Sequence, residues 1–312
     1  MANLLFSVNA VVPLFLIMVL GFILKSRGFI GEAFVESGTK VCFYVALPCL
    51  LFLNITRSDF REAFDAPLIL LCVGGILLCV ALLQGLAPRF IKEAAVSSAF
   101  VQTSFHSNSV LLGLPFIHNL VGPPGLSKAG AVLAFTIPLF SVLSVLVLAA
   151  NRPPGAGKRR LLANIISNPL LIAALLGVAG SLLSLRLPAL LERPLTYISE
   201  MAMPLALFTL GASVHFKGEA KKLRLATASA LIKLILIPLA GVLAACRLGF
   251  GPVQMAVVLA IFAAPPAVAC FPMAFQMGAD HQLTSQTIVV GTGLAALTMF
   301  AFVYVLRVLG MV

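Results

Sequence analysis

Charge is what this chain has least of: Asp, Glu, Lys and Arg make up 10% of its 312 residues, against 61% hydrophobic residues. So few charged groups cannot cover a globule of that length, which excludes a water-soluble enzyme or binding domain and requires a polytopic membrane protein. Redox and metal motifs are missing too. The six cysteines, Cys42, Cys49, Cys72, Cys79, Cys246 and Cys270, lie inside apolar runs without a CxxC pair, and are read as small packing residues rather than disulfides or ligands. No HExxH pair, GxSxG elbow or GxGD motif occurs, and Gly155-Ala-Gly-Lys158 lacks the spacing and the Ser/Thr of a phosphate loop. Neither enzymatic activity nor a cofactor nor a metal is expected. The alternating pattern of a membrane β-barrel is likewise absent.

What the chain does have is long apolar runs. Spans are read near 4–24, 37–56, 66–87, 94–121, 126–150, 161–184, 195–215, 223–246, 252–279 and 283–309. The first, about 21 residues at ~1.5 Å rise each, covers a ~30 Å hydrocarbon core. No charge precedes Lys25, so this run lacks the basic start of a cleaved signal peptide and is expected to be retained. Backbone groups in lipid must be satisfied internally, so all ten spans are expected to be helices.

The basic residues set the orientation. With the N-terminus outside, the cytoplasmic connections hold thirteen Lys and Arg and the outer side seven, Lys233 falling inside a span. That bias predicts both termini on the outer, periplasmic or extracellular, side of the membrane. The net charge of +11 then reflects topology and lipid head groups, and no nucleic-acid partner is expected.

Pro13, Gly21 and Pro48 recur as Pro169, Gly177 and Pro204, each 156 positions later, half the length of the chain. Asn151 to Gly157, rich in proline and glycine, lies midway and reads as a linker. The division is a first half over 1–150, a cytoplasmic linker over 151–160 and a second half over 161–312. Five spans per half is an odd number, so the second half enters the membrane from the opposite side and the repeat is inverted.

Two spans break their own helices. The fourth carries Gln102-Thr-Ser-Phe-His106-Ser107-Asn108-Ser109 and then Gly113-Leu-Pro115; the ninth carries Ala264-Pro265-Pro266-Ala-Val-Ala269-Cys270-Phe-Pro272. Proline lacks a donor N–H and clashes with the preceding turn, and glycine eases unwinding. Under the 156-residue offset Asn108 maps to Ala264, so the two breaks are expected to meet at mid-membrane, offering free N–H groups and half-helix positive ends to a carboxylate. Isolated prolines such as Pro138 and Pro238 read instead as kinks in packing helices.

Here the residues match a family. Phe43-Tyr-Val-Ala-Leu-Pro48-Cys-Leu-Leu-Phe52, Asn108 through Pro115, Met203-Pro204-Leu-Ala-Leu-Phe-Thr-Leu-Gly-Ala-Ser213 and Ala264-Pro-Pro-Ala-Val268 together resemble the auxin efflux carrier family, the bacterial relatives of plant PIN transporters. The resemblance runs over essentially the whole chain. It implies an all-α fold of ten helices in two inverted five-helix repeats, as in bile-acid symporters and sodium/proton antiporters. Scaffold helices 1, 2, 6 and 7, which often dimerise, would support a transport set, helices 3–5 and 8–10, containing the crossed helices four and nine. It implies a small organic-acid substrate, auxin in plants and dicarboxylates in bacterial members. Asn108 matches the family asparagine before the crossover proline, Pro115. Ala269 stands where bacterial members often have asparagine, and Pro272 where an aliphatic residue is usual.

Candidate substrate-binding residues are therefore Ser107, Asn108, Ser109, Gly113, Pro115, Pro265, Pro266, Ala269 and Cys270, with Pro48 and Pro204 as hinge or scaffold positions. Lys233 lies nine residues, roughly 13 Å, beyond Arg224, near mid-bilayer. Three readings stay open for it: counter-charge to the substrate, a tethered stand-in for a coupling cation, or a stem that snorkels to the interface. His106 can relay protons or serve as a hydrogen-bonded helix residue. Glu200 is the one carboxylate clearly inside a span, which makes a dedicated sodium site a poor expectation. The function that follows is an alternating-access carrier of a small organic anion. The competing reading is a membrane sensor or receptor that binds its ligand on the same core without moving it.

Overall fold

The structure is a computed structural model that describes residues 16–57, 65–150, 167–185, 187–213 and 220–311. Pro13 and the linker over 151–160 lie outside the described residues. In chain order the helices are α1 (Leu16–Ser26), α2 (Glu32–Thr56), α3 (Ala66–Phe90), α4 (Ala94–Phe105), α5 (a π turn over Ser109–Gly113 continued by Leu114–Val121) and α6 (Pro123–Ala150). They continue as α7 (Pro169–Leu182), α8 (Ala189–Ser213), α9 (Lys221–Arg247), α10 (Pro252–Ala263), α11 (Cys270–Met277) and α12 (His281–Val308). Six of these, α2, α3, α6, α8, α9 and α12, are long and apolar enough to cross a membrane. The chain is thus an all-helical polytopic membrane protein, as its composition requires.

Span starts shift outward for the second, fifth, seventh, eighth and tenth spans, the third, fourth and ninth start where expected, and the described part of the sixth begins with α7 at Pro169 rather than 161. The second span begins at Glu32 rather than 37, which brings Glu36 into α2, where it pairs with Lys40 at 2.7 Å. Asp65 caps α3 by accepting from the Leu68 N–H, Asn168 caps α7 through Leu170 and Asp280 caps α12 through Leu283. The fourth and ninth spans are each two helices. The fourth is α4 then α5, and the ninth is α10 then α11.

Three π turns occur among the described residues, and each ends two residues before a proline: Cys42–Ala46 before Pro48, Ser109–Gly113 before Pro115, and Ile232–Leu236 before Pro238. Proline has no N–H to give to the carbonyl four residues back and its ring pushes that carbonyl away. A wider i→i+5 turn at that place absorbs the misfit without breaking the helix.

Two helix crossings are made by glycine. A Cβ on Gly21 of α1 would run into the Phe208 carbonyl of α8, and one on Gly211 of α8 into the Met18 carbonyl of α1. Gly177 of α7 stands in the same way on α2, where a Cβ would lie 3.2 Å from the Phe52 carbonyl and 2.9 Å from Ile55 Cβ. The 156-residue offset that relates Gly21 to Gly177 also relates Phe52 to Phe208, so both partners of the crossing are repeated. Without Cβ atoms the backbones touch, the usual means of packing helices in lipid. Gly21→Leu is expected to cost about 1–3 kcal/mol by overpacking, read as a lower melting temperature of the purified protein in detergent.

The ion pairs are segregated. Lys25–Glu32 (2.6 Å) ties α1 to α2 and Arg57–Glu192 (2.7 Å) ties the end of α2 to α8, while Lys40–Glu36 lies within α2. Lys128–Asp65 (2.6 Å) joins the N-termini of α6 and α3, and Lys222–Asp280 (3.0 Å) joins those of α9 and α12, the same clasp in each half with the charges exchanged. Gln254 of α10 also donates to Asp65 at 2.7 Å. Burial alone would raise the Asp65 carboxyl, but hydrogen bonds from Lys128, Gln254 and the Leu68 N–H outweigh it and hold the group below its ordinary value.

Candidate functional site

The two broken spans meet. Between α4 and α5 the backbone leaves helical space at His106 (φ −76°, ψ 108°) and Asn108 (φ −83°, ψ 55°), and between α10 and α11 it is extended at Ala264 (φ −60°, ψ 142°). Where they cross, Ser107 and Pro266 form an antiparallel bridge: the Asn108 N–H donates to the Pro265 carbonyl at 2.8 Å and the Ala267 N–H to the His106 carbonyl at 2.9 Å. This corrects one expectation. The unwound segments spend two of their N–H groups on each other instead of leaving them free, because unpaired backbone is costly away from water.

The N-terminus of α11 is partly occupied. The Cys270 N–H donates to Ala267 O (3.0 Å) and the Phe271 N–H to Val268 O (3.1 Å), and Cys270 is fully buried. Other N–H groups stay unbonded at both helix starts: among the described residues those of Ser109 and Val110 at α5, and those of Val268 and Ala269 just before α11, have no backbone acceptor. Unbonded N–H groups therefore remain at the starts of both α5 and α11.

A cavity of about 140 Å³ opens beside the crossing. Five of the predicted residues line it: His106, Ser107, Asn108, Ser109 and Ala269. Asn108 is 4% exposed, yet its side-chain amide has no partner among the described residues. The Ser109 hydroxyl is buried and unpaired too. Ser107 Oγ, by contrast, donates to Ile261 O at 2.5 Å and holds the end of α10. His106 Nδ1 lies 2.8 Å from Ser144 Oγ, and its ring stacks on Phe140 at 5.1 Å.

Other candidates shape the cavity from outside its wall. Pro265 and Pro266 supply the bridge, and Pro266 nests where a Cβ on Gly291 of α12 would come within 2.6 Å of its ring. Gly113 lets α5 approach α10, a Cβ there lying 3.3 Å from Ala260 O. Pro115 opens the α-helical part of α5. Pro48 and Pro204 each follow a lining residue, Leu47 and Met203, which are themselves 156 positions apart.

Lys233 is fully buried in the π turn of α9, and its ammonium donates to Phe262 O at 2.6 Å. That excludes a stem snorkelling to the interface. It also places the charge outside the cavity, at the C-terminal end of α10, the negative end of that half-helix. Glu200 is exposed on α8, and no His, Cys, Asp and Glu cluster suited to a metal occurs among the described residues.

Sequence reasoning missed the far wall. Asn54 of α2, Ser141 of α6, and Leu51, Ile137, Leu170 and Met273 also line the cavity. Asn54 could have been found as the one amide in the apolar run Leu47–Thr56. The others are apolar or hydroxyl residues in apolar helices, which no spacing rule singles out.

Comparison with known proteins bears on the same ground. The profile of the family described as membrane transport protein matches residues 6–160 and 158–303. A protein of Methanothermobacter thermautotrophicus named "Uncharacterized transporter" is 26% identical over 296 residues, 94% of this chain and 96% of the relative. A protein of Rhizobium meliloti named "Putative malonate transporter" is 25% identical over 285 residues, 89% of this chain and 88% of the relative.

Proposed function

This chain belongs to the membrane transport protein family, the auxin efflux carriers, and from that premise we propose that it moves a small organic anion across the plasma membrane by alternating access. The observation that carries the reading is the Asn108 amide, 4% exposed and without a partner among the described residues, in a cavity beside helix N–H groups that likewise have no backbone acceptor among them. An amide and N–H groups aimed at one place recognise a carboxylate without needing a cationic side chain.

The ion-pair distribution supports a scaffold and a moving set. α1, α2, α7 and α8 correspond to the scaffold, the remaining helices to the transport set, and each of the five ion pairs among the described residues lies within one of the two. Such a division lets one set slide on the other without breaking a charge pair. The repeated crossing of Gly21 on Phe208 and Gly177 on Phe52 supports two homologous halves over 1–150 and 161–312. An odd number of spans in each half inverts them, and the basic residues favour both termini outside. The scaffold helices are the surface through which a homodimer would form. Lys233, on the carbonyl end of α10, serves as a tethered positive charge where a carrier coupled to an alkali cation would bind one.

Flux decides between carrier and receptor. Protein reconstituted in liposomes preloaded with a small carboxylate is expected to show counterflow of the labelled acid. Saturable binding with no counterflow would leave the receptor reading in its place.

A further inference from the structure

We propose that the groove between α3 and α9 binds an anionic phospholipid, one acyl chain lying against the Phe262 ring and the head group held by basic residues where α3 ends and α9 begins. The groove, about 530 Å³, is lined by Leu70, Leu78 and Leu82 of α3 and by Ile232, Leu236 and Ala240 of α9, and no charged side chain lines it. Its rim is open. Leu70 is 69% exposed, Leu78 60% and Leu236 59%. On membrane-spanning helices such leucines meet either hydrocarbon or another protein.

The floor is one aromatic ring. A Cβ on Gly75 would lie 2.8 Å from Phe262 Cζ and one on Gly241 2.6 Å from Phe262 Cδ2, so the two glycines let the ring sit between the helices. Gly74 differs, because it lines the groove and a Cβ there would meet nothing within 4 Å. That glycine leaves open space on the wall. From Leu70 to Leu83 the lining follows α3 for thirteen residues, about 20 Å at ~1.5 Å each. A shape so long and apolar fits an acyl chain lying along the helices rather than a compact solute.

Charge marks one end. Arg89 lies seven residues, two turns, after Leu82, and Lys221 eleven residues, three turns, before Ile232, so both stand on the groove-lining faces. Lys92 and Arg224 flank them, and all four are exposed without a carboxylate partner among the described residues. Arg89 gives one N–H to the Gly85 carbonyl at 2.6 Å. The carboxylates nearby in sequence or pairing are Glu93, which is exposed, and Asp280, which Lys222 already holds. α4 packs against both α3 and the start of α9, and so brings the two basic ends together. The opposite end of the groove has Arg247 at the close of α9, and Lys128 there is paired with Asp65.

A second copy of the chain is the other occupant that such a face could take. Two-fold packing in a membrane would set the basic end beside its own copy, like charge against like. A lipid phosphate neutralises the same end instead. Charge therefore favours lipid.

The chain has no tryptophan, so one introduced at Leu77, exposed beside the groove but not lining it, reports bound lipid by fluorescence quenching. Leu77→Trp is reconstituted in phosphatidylcholine vesicles in which brominated phosphatidylglycerol or brominated phosphatidylcholine replaces part of the lipid. Leu297→Trp, on the exposed face of α12, reports bulk lipid. Beyond any preference shown at Leu297, quenching at Leu77 should favour phosphatidylglycerol by about fivefold for each basic residue engaged. Arg89→Gln combined with Lys221→Gln should abolish that preference. Gly74→Leu should abolish it too by filling the groove, without lowering the melting temperature, since leucine outranks glycine within a helix. Equal quenching by both lipids at Leu77 overturns the proposal, as does a preference that survives these substitutions. Quenching by neither lipid assigns the face to a second copy and also overturns it. Should Leu77→Trp fail to fold, Ala81→Trp, exposed on the same helix and likewise not lining the groove, takes its place.

Discussion

Asn108→Ala is expected to weaken carboxylate binding by about 10- to 150-fold and leave the melting temperature almost unchanged. The first half of that statement follows from the value of a hydrogen bond to a charged group, about 1.5–3 kcal/mol, at 1.4 kcal/mol per tenfold. The second follows from geometry. The Asn108 side chain has no protein partner among the described residues, while the bridge that fixes the crossing uses its backbone N–H. Alanine keeps that N–H. Binding by calorimetry and unfolding by differential scanning fluorimetry separate the two effects. An unchanged dissociation constant would remove Asn108 from the site, and a collapsed melting temperature would make it a structural residue instead.

Lys233→Ala should give the other large effect: a fall in uptake of tenfold or more in sodium-free medium, partly restored by sodium. The ammonium sits 2.6 Å from Phe262 O at the end of α10, where carbonyls point past the last turn of the helix. Removing it leaves that carbonyl without its donor, a loss of about 1–3 kcal/mol for a buried polar group. A truncated side chain leaves room for a small cation to take its place. Wild-type uptake, having the charge built in, should be the same in sodium and choline chloride. Sodium-dependent uptake by the wild type would contradict the assignment. If the variant is poorly folded, the wild-type ion comparison still decides it.

The membrane class and the two breaks were legible because they rest on composition and on proline, which act locally. Pro265 and Pro266 end α10 by steric necessity, and Gly113-Leu-Pro115 reshapes α5 for the same reason. What those breaks do with their backbone was not legible. Whether the Asn108 N–H faces a ligand or Pro265 O depends on how two segments about 150 residues apart approach, which no local pattern encodes. The destination of Lys233 was hidden in the same way. Sequence gives its depth; the π turn before Pro238 and the position of Phe262 give its direction. The far wall, with Ser141 and Leu170, had no signal because lining a cavity asks no special chemistry of a leucine or a serine.

The Ser107–Pro266 bridge has a consequence for time scales. Two hydrogen bonds join α4–α5 to α10–α11, so neither broken span can tilt alone without exposing unpaired backbone in a dry environment. The proposed cycle therefore carries both as one body, and the bond partners stay together through a turnover. In deuterated buffer the amide protons of Asn108 and Ala267 should outlast many transport cycles, exchanging only when the crossing itself unfolds.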